Sequence, residues 1–331
     1  MRNHLVNRSP HGGHEFAVGG RVEVRKREKK QQMNIRSISI DSDYQLRSSI
    51  RFLEGFTPAA YESERPSELT LAFPSDGAFL LVAVRVRQEG TELKIEIAGE
   101  ADPDAVVKQV ERILSLDHDA SGYREVIIGD PALAAIAQKV GLIRPVLFPS
   151  PYEAAAWVII GNRIRMTQAG KLKQQMAQQL GDAIDIGGDS ISAFPPPSRL
   201  LEIHEMKGLT SRKIDYLHQV AAAALEGDLD PDLLAGMPFD QAFEHVQRIE
   251  GIGPFGAELI LIRGLGSIDQ APTHESRLRK AVELAYQREI ASDEELHAIT
   301  EGWSPFRSWV SVLLRTNLEM ANDESGGGSD L

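Results

Sequence analysis

Apolar residues follow two different periods along this chain, and the change of period predicts two domains. In the N-terminal part they alternate with polar residues, as in the run 36–40. The runs 78–86 and 92–97 are also typical of strands, with turn residues between them. Residues 102–114 then carry apolar side chains at helical spacing. We predict a small domain with an antiparallel sheet over residues 34–119.

From about residue 120 the apolar spacing becomes helical, and the helix starts are well marked. Ser150, Pro151 and Glu153 form a capping box with proline in the first turn, and Ser292 with Glu295 forms another box. The cap-then-proline pattern recurs at Asp130-Pro131, Asp230-Pro231 and Ser304-Pro305. A larger all-helical domain is therefore predicted over residues 120–321, which makes the fold class α+β. The predicted helices cover residues 131–140, 151–161, 166–180, 198–204, 210–226, 231–235, 240–248, 254–264, 273–288, 293–300 and 304–320.

Both ends of the chain are polar. Residues 1–33 are predicted to be a disordered basic arm, and residues 322–331 a disordered tail that contains glycine and serine. Segments of this composition have too little apolar surface to offset the entropy lost on folding.

Composition narrows the class of protein. The chain has 331 residues, and the 42% that are hydrophobic suffice for two domains with proper cores. It has no cysteine, which excludes disulfides, cysteine-based metal sites and a thiol nucleophile. We see no apolar run of membrane-spanning length and no secretory signal at the N-terminus. We therefore expect a cytoplasmic protein without a membrane partner, and we expect a monomer.

The strongest candidate for a binding site is the hairpin Gly251-Ile252-Gly253, between the predicted helices 240–248 and 254–264. Bare N–H groups at a helix N-terminus favour anions, because the amides and the helix dipole act together. A phosphate is the expected ligand. The net charge of −12 argues mildly against nucleic acid, although a local basic patch can override it.

The order of helix, glycine hairpin, helix, loop and helix resembles the helix-hairpin-helix DNA glycosylase superfamily, and most of all its alkylated-base (3-methyladenine type II) branch. Residues 148–153 leading into 159–163 look like the first core helix of that branch and the loop after it. Residues 303–309 look like the start of its C-terminal helix. The N-terminal sheet domain also fits, so the resemblance covers residues 36–320.

The resemblance implies double-stranded DNA as the partner. Backbone at the hairpin would grip a phosphate, and a Na⁺ or K⁺ ion on the carbonyls of Gly251 and Gly253 would bridge to it; no other cofactor is implied. Asn162 and Arg163 would fill the stack vacated by a flipped base, with a plain surface role as the alternative for Arg163. The implied DNA-contacting residues are Gly251, Ile252, Gly253, Phe255, Gly256, Thr273, Asn162 and Arg163.

Bifunctional members of the superfamily carry a lysine nucleophile two residues past the hairpin, where this chain has Phe255. Phenylalanine cannot form a Schiff base, so lyase chemistry through this position is excluded. The resemblance implies that Phe255 lines a base pocket, with a plain core role as the alternative. Leu259 and Arg315 stand where relatives carry aromatic residues, so we expect a different substrate preference. The implied pocket residues are Phe255, Leu259, Trp303 and Arg315.

The catalytic aspartate of the family falls on Pro272, which has no acid. A carboxylate there would stabilise the positive charge that develops on the sugar as the N-glycosidic bond breaks. Asp269, Glu275 and His274 are the nearby candidates to replace it. Each also has an ordinary structural interpretation, as a loop acid, a helix-start acid and a hydrogen-bonding histidine respectively.

Three hypotheses stay open at this point. The first is a monofunctional DNA glycosylase of base-excision repair that acts on alkylated purines, whose positive charge already makes them good leaving groups. The second is a catalytically inactive DNA-binding or damage-recognition protein on the same scaffold. The third is a helical protein whose hairpin only packs.

Overall fold

The computed structural model describes residues 33–59, 61, 65 and 67–324, all within one compact unit, Gln32–Leu331. Residues 1–32 of the predicted arm 1–33 and residues 325–331 of the predicted tail 322–331 lie outside the described part. Residues 322–324 were predicted to belong to the disordered tail, which is wrong, because α14 extends to Glu324. The division into a sheet domain and a helical domain stays a prediction, because contacts place both within the one unit.

The N-terminal part forms an antiparallel sheet, as the alternating pattern predicts. The strands and helices of this part are β1 Asn34–Ser39, α1 Leu46–Gly55, β2 Glu68–Pro74, β3 Leu81–Glu89, β4 Glu92–Gly99 and α2 Pro103–Ile113, and a later hairpin consists of β5 Ala183–Ile186 and β6 Asp189–Ser192. The strands of the sheet lie in the order β1-β4-β3-β2. One face is covered by α1 and α2, whose apolar residues share a core with the sheet. The other face of β3 and β4 is covered by the hairpin β5–β6, so that β3 is buried on both sides.

One predicted strand was placed too early. The run 78–86 was predicted as a strand, but β3 begins at Leu81 because a turn precedes it. In that turn Ser75 N–H donates to the carbonyl of Leu80 at 2.8 Å, and Phe79 has a φ of 52°. A positive φ at a bulky residue is incompatible with an extended strand.

Helices dominate the chain from residue 123 onward, as predicted. The part is not all-helical, however, because the hairpin β5–β6 lies within it and pairs its own two strands. They are α3 Tyr123–Gly129, α4 Pro131–Val140, α5 Pro151–Gly161, α6 Met166–Leu180, α7 Pro197–Leu200, α8 Ser211–Glu226, α9 Pro231–Ala235, α10 Phe239–Val246, α11 Pro254–Leu259, α12 Ser276–Tyr286, α13 Asp293–Glu301 and α14 Arg307–Glu324. α11 continues without a break into a π-helical segment, Ile260–Leu265. Four predicted caps are confirmed, because the side chains of Asp130, Ser150, Asp230 and Ser292 each accept a first-turn N–H. The cap predicted at Ser304 is wrong, because α14 begins at Arg307 and Ser304 Oγ donates to Asp269 instead.

Three helix boundaries differ from the prediction, and two of them bear on the site. α12 begins at Ser276, three residues later than predicted, and α14 begins at Arg307 and extends to Glu324. Side chains from other elements hold the residues before both helices in non-helical conformations, as described below. The short α7 covers only Pro197–Leu200 of the predicted helix 198–204.

The helix α5 is the centre of the helical part, since nine of its eleven residues are buried. The π-helical segment crosses it closely at Gly264, where a Cβ would lie 2.8 Å from Ala154 Cβ and 2.9 Å from Pro151 Cα. Arg112 on α2 ties the sheet layer to this crossing by donating to the carbonyl of Gly264 at 2.6 Å. Within the described residues no helix is both long and apolar enough to cross a membrane.

Candidate functional site

The hairpin between α10 and α11 depends on Gly251. This glycine has a φ of 96°, which L side chains rarely adopt. A Cβ there would also lie 2.7 Å from Tyr216 Cγ on α8 and 3.0 Å from Ile159 Cδ1 on α5. The backbone therefore lies directly against two side chains, which fixes the hairpin on the helical core.

At Gly253 the hairpin is exposed to solvent. It is the N-cap of α11 with a φ of −94°, and a Cβ added there would meet nothing within 4 Å. No cap side chain serves the first turn, and in the described part of the chain the N–H groups of Gly253 and Phe255 have no protein acceptor. Unpaired amides at the positive end of a helix are a ready site for an oxyanion.

The other predicted hairpin contacts face inward. The N–H of Ile252 donates to the carbonyl of Ile249 at 3.0 Å, and the side chain is 6% exposed. Gly256 is buried, and a Cβ there would lie 2.7 Å from Val158 Cγ1. Of the hairpin residues predicted to contact DNA, the exposed ones are therefore Gly253 and Phe255.

Basic side chains lie on the elements that pack against the hairpin. Arg212 Nε donates to Tyr216 Oη at 2.7 Å, and its guanidinium lies 5.3 Å from the centre of that ring, behind Gly251. Lys213 Nζ donates to the carbonyl of Ile160 at 2.7 Å, just before the exposed loop residues Asn162 and Arg163. We call Arg163, Arg212 and Lys213 the hairpin basic surface.

These cations differ from most arginines of the molecule. Arg163, Arg212 and Lys213 form no ion pair with a carboxylate among the described residues. Many other arginines do form such pairs: Arg36, Arg85, Arg87, Arg112, Arg144, Arg279, Arg288, Arg307 and Arg315. Within the described residues, no direct ion pair neutralises these three cations.

The predicted base-pocket residues separate into two groups. Phe255 is 42% exposed, so the core interpretation of its ring is wrong, and Leu259 one turn later is half-buried. Trp303 is 1% exposed and packs in the core around α12 and α14, where no base could reach its ring. Arg315 lies on α14, facing the start of α12.

Asp269 serves the start of α14. Its Oδ1 accepts from Arg307 Nε at 2.8 Å, and its Oδ2 accepts from Ser304 Oγ at 2.9 Å and from Arg307 Nη2 at 3.0 Å. Burial alone would raise the pKa of this carboxyl, but the hydrogen bonds from Arg307 and Ser304 outweigh it and lower the pKa. Both oxygens are occupied, which agrees with the loop-acid interpretation of this residue.

Glu275 occupies the loop-to-helix junction itself. It is the N-cap residue of α12, although the sequence placed it inside the first turn. Its carboxylate forms an ion pair with Arg315, and Arg277 Nε lies 3.7 Å away. Arg315 also pairs with Glu319 at 2.8 Å, so the junction carries two acids and two bases. The side chain of Glu275 is 15% exposed.

Sequence reasoning missed Glu258. This residue lies on α11 and is 5% exposed, yet its carboxylate contacts the loop before α12. It accepts from Thr273 N–H and Thr273 Oγ1, both at 3.1 Å, from His274 N–H at 3.0 Å and from His274 Nδ1 at 2.8 Å. The His274 ring also stacks on Phe243, with centroids 5.9 Å apart. The sequence held one signal for this role, which is a glutamate at a position that the helical pattern predicts to be buried.

The predicted cation at the hairpin fits only in part. The carbonyl of Gly253 accepts Ala257 N–H at 2.9 Å and is therefore directed into α11. A carbonyl that starts a helix points away from an anion at the N-terminus. The Na⁺ or K⁺ site thus stays a prediction for Gly251 and lacks support at Gly253. The described residues hold no cluster of three or more metal-ligating side chains.

A large groove lies elsewhere. It has a volume of about 1020 Å³ and runs between α3, α4, α12 and the end of α14, with Asp130 and Tyr286 in its lining. None of the residues predicted to bind DNA, line a base pocket or act in catalysis lines it. We therefore place the site at the hairpin and the start of α12.

Comparison with known proteins finds glycosylases by both sequence and structure. No family model matches the chain. A DNA-3-methyladenine glycosylase of Bacillus subtilis is 28% identical over 218 residues, which are 64% of this chain and 71% of that protein. A putative DNA-3-methyladenine glycosylase of the same organism is 22% identical over 248 residues, 73% of this chain and 85% of that protein.

A solved structure of similar fold is the 3-methyladenine DNA-glycosylase from Archaeoglobus fulgidus. It superposes with a TM-score of 0.71 at 22% identity and covers 86% of this chain and 98% of its own. At that identity the likeness shows the fold. It bears out the predicted arrangement of a small antiparallel sheet followed by a mostly helical part.

Proposed function

We propose that this chain, which belongs to the helix-hairpin-helix DNA glycosylase superfamily, is a monofunctional DNA glycosylase that releases alkylated purines from double-stranded DNA. The observation that carries the proposal is the pairing of an open anion site at Gly253 with an exposed aromatic ring at Phe255, one turn before the buried Glu258. The names of the sequence relatives support the same substrate class.

The hairpin and its surroundings suit a DNA backbone. Two unpaired amides at Gly253 and Phe255 offer hydrogen bonds to one phosphate, and the helix dipole favours its charge. The hairpin basic surface would supply further phosphate contacts from α8 and from the loop after α5. Phosphate contacts of this kind position a protein on the duplex without reading sequence. Asn162 and Arg163 lie in an exposed loop next to this surface, which suits insertion into the base stack.

Glu275 is the best placed of the three candidate residues. It lies at the junction between the loop and α12, three residues after Pro272, on which the catalytic aspartate of the superfamily falls, whereas both oxygens of Asp269 accept hydrogen bonds from the start of α14. A carboxylate at this place would stabilise the cationic sugar or activate a water molecule. Arg315 would have to give up its ion pair with Glu275, or share it with Glu319, as the substrate enters.

Alkylated purines fit the remaining features. A 3- or 7-alkylpurine carries a positive charge before the bond breaks, so it needs less protonation than a neutral base does. Phe255 offers one exposed aromatic face for stacking, and stacking of a base on an aromatic ring is worth about 1–3 kcal/mol. The absence of a lysine at this position leaves base hydrolysis as the chemistry and makes the enzyme monofunctional.

The test is release of free base from methylated duplex DNA, measured by chromatography under single-turnover conditions. We expect release by the wild type and a loss of about 100-fold or more in Glu275→Gln, because the developing charge loses its counter-charge. Glu244→Gln, which changes an exposed glutamate on α10, is the matched control and should retain the wild-type rate. Asp269→Asn, which weakens the support of α14, should lower the rate less than Glu275→Gln does. Tight DNA binding without release in the wild type would leave the inactive DNA-binding protein as the function.

We also propose that the protein is a cytoplasmic monomer. The absence of cysteine suits a reducing compartment, although it does not require one. Light scattering on the purified protein decides the second point, since a monomer has a mass of 36.4 kDa.

A further inference from the structure

We propose that Glu258 is a positioning residue that fixes the start of α12, and with it Glu275, relative to the DNA-gripping hairpin. The inference rests on the proposed function and adds a residue to it. It starts from a buried carboxylate that four donors from two consecutive residues surround.

The four hydrogen bonds all end in one short segment. Thr273 and His274 supply two backbone N–H groups, one hydroxyl and one imidazole nitrogen, and the next residue is Glu275, the N-cap of α12. An ionised carboxylate is purely an acceptor, so His274 Nδ1 carries the proton in this contact. Hydrogen bonds to a charged acceptor are stronger than neutral ones, which makes this contact the main attachment of the segment.

The other end of the connection is the hairpin. Glu258 lies on the same helix as Gly253 and Phe255, three residues beyond Phe255, so less than one helical turn separates the exposed ring from the buried carboxylate. A short helix is stiff. The amides that would hold the phosphate and the carboxylate that holds the loop therefore keep a fixed separation.

Burial makes this arrangement selective for a carboxylate. The side chain of Glu258 is 6% exposed, so water cannot replace a lost acceptor. A glutamine would present an NH₂ group to donors, and an apolar residue would leave the N–H groups of Thr273 and His274 unsatisfied. In both cases the loop would shift to find other partners, and Glu275 would move with it.

The predicted consequence is a loss of rate without a loss of affinity. A displacement of about 1 Å at a reacting group can cost about 100-fold in rate, whereas phosphate contacts at the hairpin are untouched. We expect Glu258→Gln to lower single-turnover base release by about 10- to 100-fold while the Kd for duplex DNA changes by less than about threefold. The matched control is Glu244→Gln on α10, an exposed glutamate that should leave both quantities unchanged.

A second pair of variants tests whether the rate depends on the hydrogen bond from His274 to Glu258 or on the imidazole ring itself. An asparagine amide can donate to Glu258 from the place of Nδ1, whereas alanine cannot. We expect His274→Asn to retain most of the rate and His274→Ala to lose part of it. This pair also decides the matter if Glu258→Gln does not fold, which a lowered Tm would reveal.

The outcomes are distinct. A wild type that binds DNA and releases no base would refute the proposed function. A wild type that releases base, with Glu258→Gln folded and equally fast, would refute the positioning role alone. His274→Asn and His274→Ala with equally low rates would also overturn it, because the ring and not its bond to Glu258 would then be required.

Discussion

Gly251 and Gly253 lie two residues apart, yet the structure constrains them in different ways. Gly251 has a positive φ and its Cα faces Tyr216 and Ile159, so it is needed for folding of the hairpin. Gly253 has an ordinary φ and open space on its side-chain direction, so folding does not require a glycine there. The lack of a side chain at Gly253 matters only when a ligand binds the neighbouring N–H groups from the solvent side.

The two glycines therefore predict opposite phenotypes when each is changed to alanine. Gly251→Ala should destabilise the protein by about 1–3 kcal/mol through backbone strain, with the contact at Tyr216 adding to the loss. Gly253→Ala should shift stability by about 1 kcal/mol or less but weaken DNA binding, because its methyl group occupies the phosphate's approach. Urea unfolding and a DNA-binding titration on both variants test this. Unchanged DNA affinity in Gly253→Ala would remove the anion site from the hairpin.

At the scale of elements, α14 is positioned by the loop before it. Asp269 accepts hydrogen bonds from Ser304 and from Arg307, the first residue of α14. These bonds hold residues 304–306 out of the helix that the sequence predicts there. Because Arg315 lies on the same helix and pairs with Glu275, the position of α14 also sets the surroundings of the proposed catalytic acid.

The lowered pKa of Asp269 predicts how this contribution depends on pH. The folded-state pKa lies below the value of about 3.9 for an unfolded aspartate, so the charged form stabilises the fold above that value. The contribution is lost as pH falls through the folded-state pKa. Asp269→Asn should cost about 1–3 kcal/mol at pH 7 and progressively less below pH 4.

Urea unfolding of wild type and Asp269→Asn from pH 7 to pH 3 measures that difference. Asp43→Asn is the control, because Asp43 is 60% exposed and its ion pair with Arg124, at 3.5 Å, lies on the surface. Surface pairs of that kind contribute little. A penalty for Asp269→Asn that stays constant across the pH range would contradict the role of its charge.

The elements also show where sequence reasoning succeeds. Caps are local, so Asp130, Ser150, Asp230 and Ser292 were found from the residues beside them. The hairpin was found for the same reason. The late start of α12 was missed, because it depends on Glu258, which lies 15 residues before its nearest partner, Thr273. No local pattern shows that a buried helix glutamate will meet a distant loop.

Among the candidate site residues, the same limit applies. The sequence named Asp269, His274 and Glu275 together because they are neighbours along the chain. It could not show that Asp269 faces Arg307 or that Glu275 faces Arg315, since both arginines lie about 40 residues further on. Exposure of Phe255 and burial of Trp303 were likewise decided by tertiary packing, because both are large aromatic residues that suit a core or a pocket.

At the scale of the whole molecule, the distribution of ion pairs predicts how the affinity for DNA depends on salt concentration. Arg212 has no carboxylate partner in the described residues and is held over Tyr216, so it can contact a phosphate without reorganising. Arg212→Ala should weaken DNA binding about equally for every sequence and reduce the slope of log Kd against log salt by about 1. Arg199→Ala is the control, since Arg199 already pairs with Glu202 at 3.3 Å.

Titrations at several salt concentrations test this prediction, with Tm measured to check that the packing against Tyr216 survives. An unchanged slope in Arg212→Ala would mean that the residue does not contact the backbone. An equal loss in Arg199→Ala would mean that the binding is a diffuse charge effect.

The unpaired cations beside the hairpin have a further consequence in an overall acidic protein. On the proposed function, a net charge of −12 should disfavour encounters with DNA in most orientations and favour those that present Arg163, Arg212 and Lys213 to the duplex. We therefore expect encounters in other orientations to be short-lived. The overall acidity would then reduce the number of collisions with DNA, but it would raise the fraction in which the hairpin faces the duplex.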